Sequence, residues 1–326
     1  MGALIISQTP LRVSLFGGGT DLREYCGRHG GAVLSLTIDK FVHVMVKPRW
    51  DGDLLVSHRT RERARSIDGI AHGLVRESLR TVNVAGGLEI ASMSDAPTEG
   101  SGLGASSSFT VGLLNALSAC RGETRSPREL AELACRVEID LVGEPIGMQD
   151  QYAAAVGGCN EYRFHQDGTV QILPLHLSPA VERALEAHVV MFYTGRTRRA
   201  AEVLTDQRAR TEENAGHLHA LKDLVAHGRR SLRDGDLEEL GGLLHVGWEL
   251  KKRLSEKVHD DEIDRIYDLG MRAGAYGGKL LGAGAGGFFL FLCPPLSQPA
   301  LRAALRDYRE MPVSLEPSGS RIAFPG

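Results

Sequence analysis

At 326 residues the chain has room for two domains of ordinary size, and its net charge of -3 leaves no basic surplus to neutralise many phosphates, which excludes broad nucleic-acid binding. The five cysteines (Cys26, Cys120, Cys135, Cys159, Cys293) are odd in number and widely spaced, with no C-x-x-C pair, so they read as free thiols of a reducing cytoplasm and not as a disulfide frame or a zinc site. MGALIISQTPLRV reads as a strand and not as a signal peptide, and no run approaches the roughly 18 apolar residues of a membrane helix, so a cytoplasmic protein is expected.

In chain order, ALIISQTPLRVSLF predicts extended segments around Pro10, GGGTDL a turn, and VHVMVKPRW the alternation of a half-buried strand. A helix is expected near 69–81, a strand near 86–92 and a helix over 105–120. SPRELAELACRVEIDLVG carries the clearest helix start, with Ser126 as N-cap, Pro127 in the first turn and Glu129 as capping-box partner; Gly143 supplies a stop. Asp150, in GMQDQ, falls near the start of a short helix. Residues 198–254 carry charged helical patterns with Leu218, Leu221, Leu224 and Val225 on one face and a turn at 234–236. A helix over about 260–273 precedes GGKLLGAGAGGFFLFL. The pattern predicts two α+β domains, 1–185 and 186–326.

Glycine is concentrated in three stretches. In PTEGSGLGASSSF (97–109) three glycines in five residues lead into the serine run 106–108 at a helix start, so backbone N–H groups at the positive end of its dipole face a flexible loop. Such a loop suits an anion, above all a nucleotide phosphate. Gly282, Gly284 and Gly287 formally match G-x-G-x-x-G, yet a helix precedes them and a strand follows, the reverse of a dinucleotide site. Gly278-Lys279 is no phosphate-binding Walker loop either, since Ala273 and Leu280 stand where Gly and Ser or Thr belong.

PLRVSLFGGGTD (10–21), PTEGSGLGASSS (97–108) and KLLGAGAGGFFLFL (279–292) resemble, in order and spacing, the three motifs of the GHMP small-molecule kinases. GGGTDL, TGRTRRAAEVLTDQ and GAYGGKLLGAG are most similar to the D-glycero-D-manno-heptose 7-phosphate kinase branch. The resemblance implies a ribosomal-protein-S5-like N-terminal domain holding ATP and Mg²⁺, and a ferredoxin-like C-terminal domain contributing substrate contacts.

By the same resemblance, Gly100, Gly102, Leu103, Gly104, Ala105, Ser106 and Ser107 hold the ATP phosphates, and Ser106 with Glu138 holds Mg²⁺, whose preference is for hard oxygen ligands. Ala105 replaces the family's commoner first serine. Asp150 matches the catalytic aspartate and Arg12 the basic residue that keeps it ionised; a structural salt bridge is the alternative. Gly18, Gly19, Thr20, Asp21, Gly284 and Gly286 are expected around a sugar. Arg196, Arg198 and Arg199, near a helix start, are candidates for a phosphate that the sugar already carries. Glu138, on a stripe with Ala131, Ala134 and Cys135, alternatively pairs with a cation such as Arg136. Lys279 has no assigned role, and no stretch identifies the adenine contacts. The implied activity is phosphorylation of the anomeric hydroxyl of heptose 7-phosphate, with another anomeric sugar kinase (fucose or octose phosphate) or a non-catalytic sugar and ATP sensor as alternatives.

Overall fold

The computed structural model describes residues 3–58, 60–98, 100–196 and 200–325. Its first half carries the strands β1 (Ile5–Phe16), β2 (Gly31–Pro48), β3 (Leu54–Ser57), β4 (Arg61–Ala64), β5 (Leu88–Ser94), β6 (Cys159–Phe164) and β7 (Val170–Pro174). Between them run α1 (Arg23–His29), α2 (Gly73–Thr81), α3 (Ala105–Cys120), α4 (Pro127–Cys135) and α5 (Gln149–Val156). β1 and β2 form the spine of the sheet. Pro10 has no N–H for the ladder, and the β1–β2 register shifts between Pro10 and Leu11. β2 is long enough to pair with β6 through Gly31–Leu36 and with β5 through Val42–Pro48.

The second half comprises α6 (Pro179–His188), β8 (Val189–Tyr193), α7 (Ala200–Ala209), α8 (Ala215–Asp234), α9 (Leu237–Lys252), α10 (Asp261–Arg272), β9 (Gly277–Leu280), β10 (Phe288–Leu292), α11 (Gln298–Ala304) and β11 (Arg309–Glu310). Its antiparallel sheet has the order β11-β8-β10-β9. Numbered within the domain that is 4-1-3-2, the ferredoxin-like arrangement. The final strand, β12 (Arg321–Phe324), returns to pair with β1 at the edge of the first sheet. The expected division at 185/186 therefore needs one correction: Leu315 bridges Ile38, and the chain end belongs to the first sheet.

α3 is apolar nearly all round and is buried against β1 and β2. The expected stripe Leu218, Leu221, Leu224 and Val225 on α8 packs into the same core as Phe16 and Tyr25, so the first core runs continuously into the second half of the chain. A second core lies around Trp248, Tyr267, Phe289 and Phe291.

The start signal at Ser126 is realised as a full capping box: its hydroxyl accepts from the Glu129 N–H, and the Glu129 carboxylate accepts from the Ser126 N–H. Beyond Cys135 the helix widens into a π turn over Arg136–Leu141, closed by the Val142 N–H on the Val137 carbonyl. The π turn carries Glu138. Ser126→Ala is expected to lower the unfolding free energy by about 0.5–2 kcal/mol in urea titration while leaving catalytic rates unchanged.

Candidate active site

Arg12 points from β1 into the interior, its side chain 4% exposed. Its Nε donates to Asp150 Oδ1 at 2.7 Å and its Nη2 to Oδ2 at 2.8 Å, a bidentate pair. Nη1 donates to the Gly102 carbonyl (2.5 Å), and the Arg12 backbone N–H to the Leu103 carbonyl (3.0 Å). One residue thus ties β1 to the Gly-rich loop and to the first turn of α5. Asp150 keeps 23% of its side chain exposed, which leaves room for a substrate hydroxyl.

The loop ends at Gly104, the left-handed N-cap of α3, which has no side chain to cap the helix. The N–H groups of Ala105, Ser106 and Ser107 have no intrahelical acceptor, as in any first helical turn. Together with Gly100 and Gly102 these residues line a cavity of about 420 Å³, to which Asp150 and Arg12 also contribute. The Leu103 side chain is fully buried in the core and does not line the cavity; its carbonyl accepts from the Arg12 N–H, and its own N–H donates to Ser101 Oγ (3.4 Å).

The second and third Gly stretches meet backbone to backbone. A Cβ on Gly282 would lie 2.4 Å from Gly102 Cα, and one on Gly102 would lie 2.4 Å from the Leu281 carbonyl oxygen. The Phe288 N–H donates to the Ser101 carbonyl at 3.1 Å. Only glycine permits this approach. Gly284 and Gly286 extend the same wall.

Glu138 is completely buried against the start of α3 and the first turn of α5. Its carboxylate accepts from Ser107 Oγ (2.7 Å), Thr110 Oγ1 (2.9 Å) and Gln151 Nε2 (2.5 Å). Among the described residues no cation pairs with it, so the alternative pairing with Arg136 is not formed. Burial raises its pKa from 4.5 to about 7, against the lowering effect of the three hydrogen bonds. Ser106 is exposed toward the cavity and does not reach Glu138; Ser107 makes that contact instead. The donor set of hydroxyl and carboxylate oxygens has the hard chemistry that Mg²⁺ requires. The described residues hold no ready-made cluster of three or more His, Cys, Asp or Glu, so phosphate oxygens would complete such a site.

Asp21 is buried and accepts from the Gly19 N–H (3.0 Å), the Gln149 N–H (3.2 Å) and Gln149 Nε2 (3.3 Å). Burial raises its pKa, with the charge of Asp150 adding to the effect. Gly18, Gly19 and Asp21 line the cavity, whereas Thr20 does not. The Thr20 hydroxyl donates to the Gly17 carbonyl (2.7 Å) and accepts from the Ala32 N–H (3.1 Å), locking the turn. Arg196 is likewise not on the wall; its Nη1 lies 2.8 Å from Asp260 Oδ2. Arg198 and Arg199 lie outside the described residues.

Several wall residues had no role assigned from the sequence. Lys279, whose role was open, donates from Nζ to the Leu15 carbonyl at 2.9 Å, and burial, with Arg12 adding, lowers its pKa to about 7. Lys251, at the end of α9, donates to the carbonyls of Leu280 (3.1 Å) and Gly282; burial, then Lys279 and Arg12, hold it well below the usual lysine value. In the run ELKKR nothing distinguishes Lys251 from a solvated lysine. Gln149, Gln207, Ser14, Thr98, Ser101 and Glu144 are further polar residues of the lining.

Comparison with known proteins agrees with this geometry. The family described as GHMP kinases N terminal domain matches residues 67–158, and GHMP kinases C terminal matches 229–310. The chain is 33% identical over 319 residues to a D-glycero-alpha-D-manno-heptose 7-phosphate kinase of Campylobacter jejuni, covering 93% of each chain. It is 27% identical to a galactokinase of Pyrococcus furiosus, again over 93% of each. A crystal structure of a D-glycero-D-manno-heptose 1-phosphate kinase from Bacteroides thetaiotaomicron superimposes with a TM-score of 0.82 at 27% identity, covering 98% of this chain and 99% of that one.

Asp150→Asn is expected to preserve ATP affinity in calorimetry and to lower kcat by about 10²- to 10⁴-fold; an unchanged kcat would remove Asp150 from proton transfer. Glu138 gives a second test, in the metal-free protein. Because its folded-state pKa lies above the unfolded value, its stabilising contribution is complete below about pH 4.5 and is lost as pH rises through about 7, a change of at most about 3 kcal/mol. Denaturant titrations across this window should show a shallower pH dependence for Glu138→Gln than for the wild type.

Proposed function

The chain belongs to the GHMP kinases, and we propose that within this family it transfers the γ-phosphoryl group of ATP to the anomeric hydroxyl of D-glycero-D-manno-heptose 7-phosphate, giving the 1,7-bisphosphate. The carrying observation is that the Arg12–Asp150 pair and the uncapped start of α3 open on one cavity. A phosphoryl acceptor and a polyphosphate can therefore meet there. The choice of heptose rests on the match to the Campylobacter jejuni enzyme along nearly the whole chain.

In this reading the N–H groups of Ala105, Ser106 and Ser107 bind the transferring end of the nucleotide, with the helix dipole adding positive potential. Ser106, Ser107 and Glu138 would hold Mg²⁺ together with phosphate oxygens. The ion supplies charge neutralisation on the phosphates, and its presence would favour the ionised form of Glu138. Asp150 accepts the proton of the anomeric hydroxyl. Arg12 fixes both carboxylate oxygens and adds positive charge where alkoxide character develops. Asp21, steadied by Gln149, accepts from sugar hydroxyls. The setting is cytoplasmic, and the acceptor a small-molecule sugar phosphate.

A coupled ADP-release assay with ATP and Mg²⁺ tests the substrate assignment on heptose 7-phosphate, unphosphorylated heptose, fucose, galactose and mevalonate. Turnover confined to heptose 7-phosphate is expected. Turnover on fucose or galactose alone would replace the acceptor, and ATP binding with no turnover on any sugar would make the chain a sensor.

A further inference from the structure

Among the described residues, two lysines on the cavity wall have no carboxylate partner. Arg12 is matched by Asp150, but among those residues Lys279 bonds the Leu15 carbonyl, and Lys251 the carbonyls of Leu280 and Gly282. Each ammonium has three donors, so Lys279 retains two and Lys251 one. Three wall residues carry a buried side-chain atom without a hydrogen-bond partner among the described residues: Ser14 Oγ, beside Leu15, and Gln207 Nε2, whose residues are 5% and 7% exposed, can donate, whereas the third, Gln149 Oε1, only accepts. A buried lysine facing a cavity without a counter-ion is costly unless an anion arrives; Lys279 is buried and Lys251 half-buried.

We propose that Lys251 and Lys279 form a dianion subsite that receives the phosphate already carried by the acceptor sugar, with Ser14 and Gln207 as neutral donors beside it. A phosphomonoester carries about -1.5 to -2 charges at pH 7, which matches the two unneutralised ammonium groups. The nucleotide has its own cradle in the first turn of α3, whereas Lys279 is tied to Leu15, beyond Arg12 and toward the Gly17–Asp21 turn. The proposal rests on the reading that the acceptor is a sugar phosphate. It moves the phosphate contact away from Arg196, whose guanidinium pairs with Asp260 off the cavity wall.

The test uses the full chain saturated with a non-hydrolysable ATP analogue and Mg²⁺, so that the nucleotide loop is occupied. Inorganic phosphate is titrated and followed by ³¹P NMR, and heptose 7-phosphate and unphosphorylated heptose are compared by calorimetry. Loss of one charge-assisted hydrogen bond predicts that Lys251→Gln weakens phosphate and heptose 7-phosphate by about 10- to 100-fold. Heptose and the ATP analogue should stay within about twofold, and Lys251→Arg should recover much of the loss. Phosphate that binds only when the nucleotide is absent, or a Lys251→Gln defect confined to the ATP analogue, would assign the lysines to the nucleotide and overturn the proposal. Unchanged binding of every ligand would make Lys251 a loop staple and overturn it too. Turnover by the wild type of unphosphorylated sugars alone would instead defeat the heptose 7-phosphate reading; selective phosphate binding through Lys251 would still locate the subsite.

Discussion

The bidentate contact between Arg12 and Asp150 is the constraint on which the site depends. Arg12 sits in β1, paired on both sides by β12 and β2, so its position is inherited from the sheet; through it the Gly-rich loop, α3 and α5 are held in one frame. A buried ion pair of this kind is a weak stabiliser on its own, because desolvation offsets much of the attraction. Here its geometric effect is clearer than its energetic one. The guanidinium occupies both carboxylate oxygens from the buried side and leaves Asp150 partly open to the cavity.

Around that pair the chain separates two kinds of polar wall. On one side, main-chain N–H groups of a helix start are left free by a residue without a side chain, a neutral cradle with positive potential. On the other, Asp21 and Gln149 present acceptors and donors suited to hydroxyls. The two halves of the chain are joined where Gly102 meets Gly282, so a displacement of the second sheet would be transmitted to the loop through backbone contact. The cavity is a product of both domains, although the catalytic pair comes from the first.

Much of this was legible in the sequence because the signals were local. The α3 boundaries, the capping box at Ser126, the apolar stripe of α8 and the three Gly stretches each follow from residues close in the chain. Arg12 and Asp150 came from motif order, and the structure brings them into contact. What escaped was non-local. The π turn that carries Glu138 has no composition of its own, and the pairing of β12 with β1 joins opposite ends of the chain. Lys251 acquires its meaning only from the cavity it borders, and the exchange of Ser107 for Ser106 beside Glu138 depends on helix rotation that spacing alone does not resolve. Leu103 and Thr20 belong to the motifs, yet they serve the core and the turn.

The central claim is transfer to the anomeric hydroxyl beside Asp150, and the most direct measurement is ³¹P NMR of the product formed from ATP and heptose 7-phosphate carrying ¹³C at C1. A new phosphorus resonance coupled to the labelled carbon, formed in step with ADP, is the result the account predicts. ADP released with inorganic phosphate alone, or a new phosphoester uncoupled from C1, would contradict it.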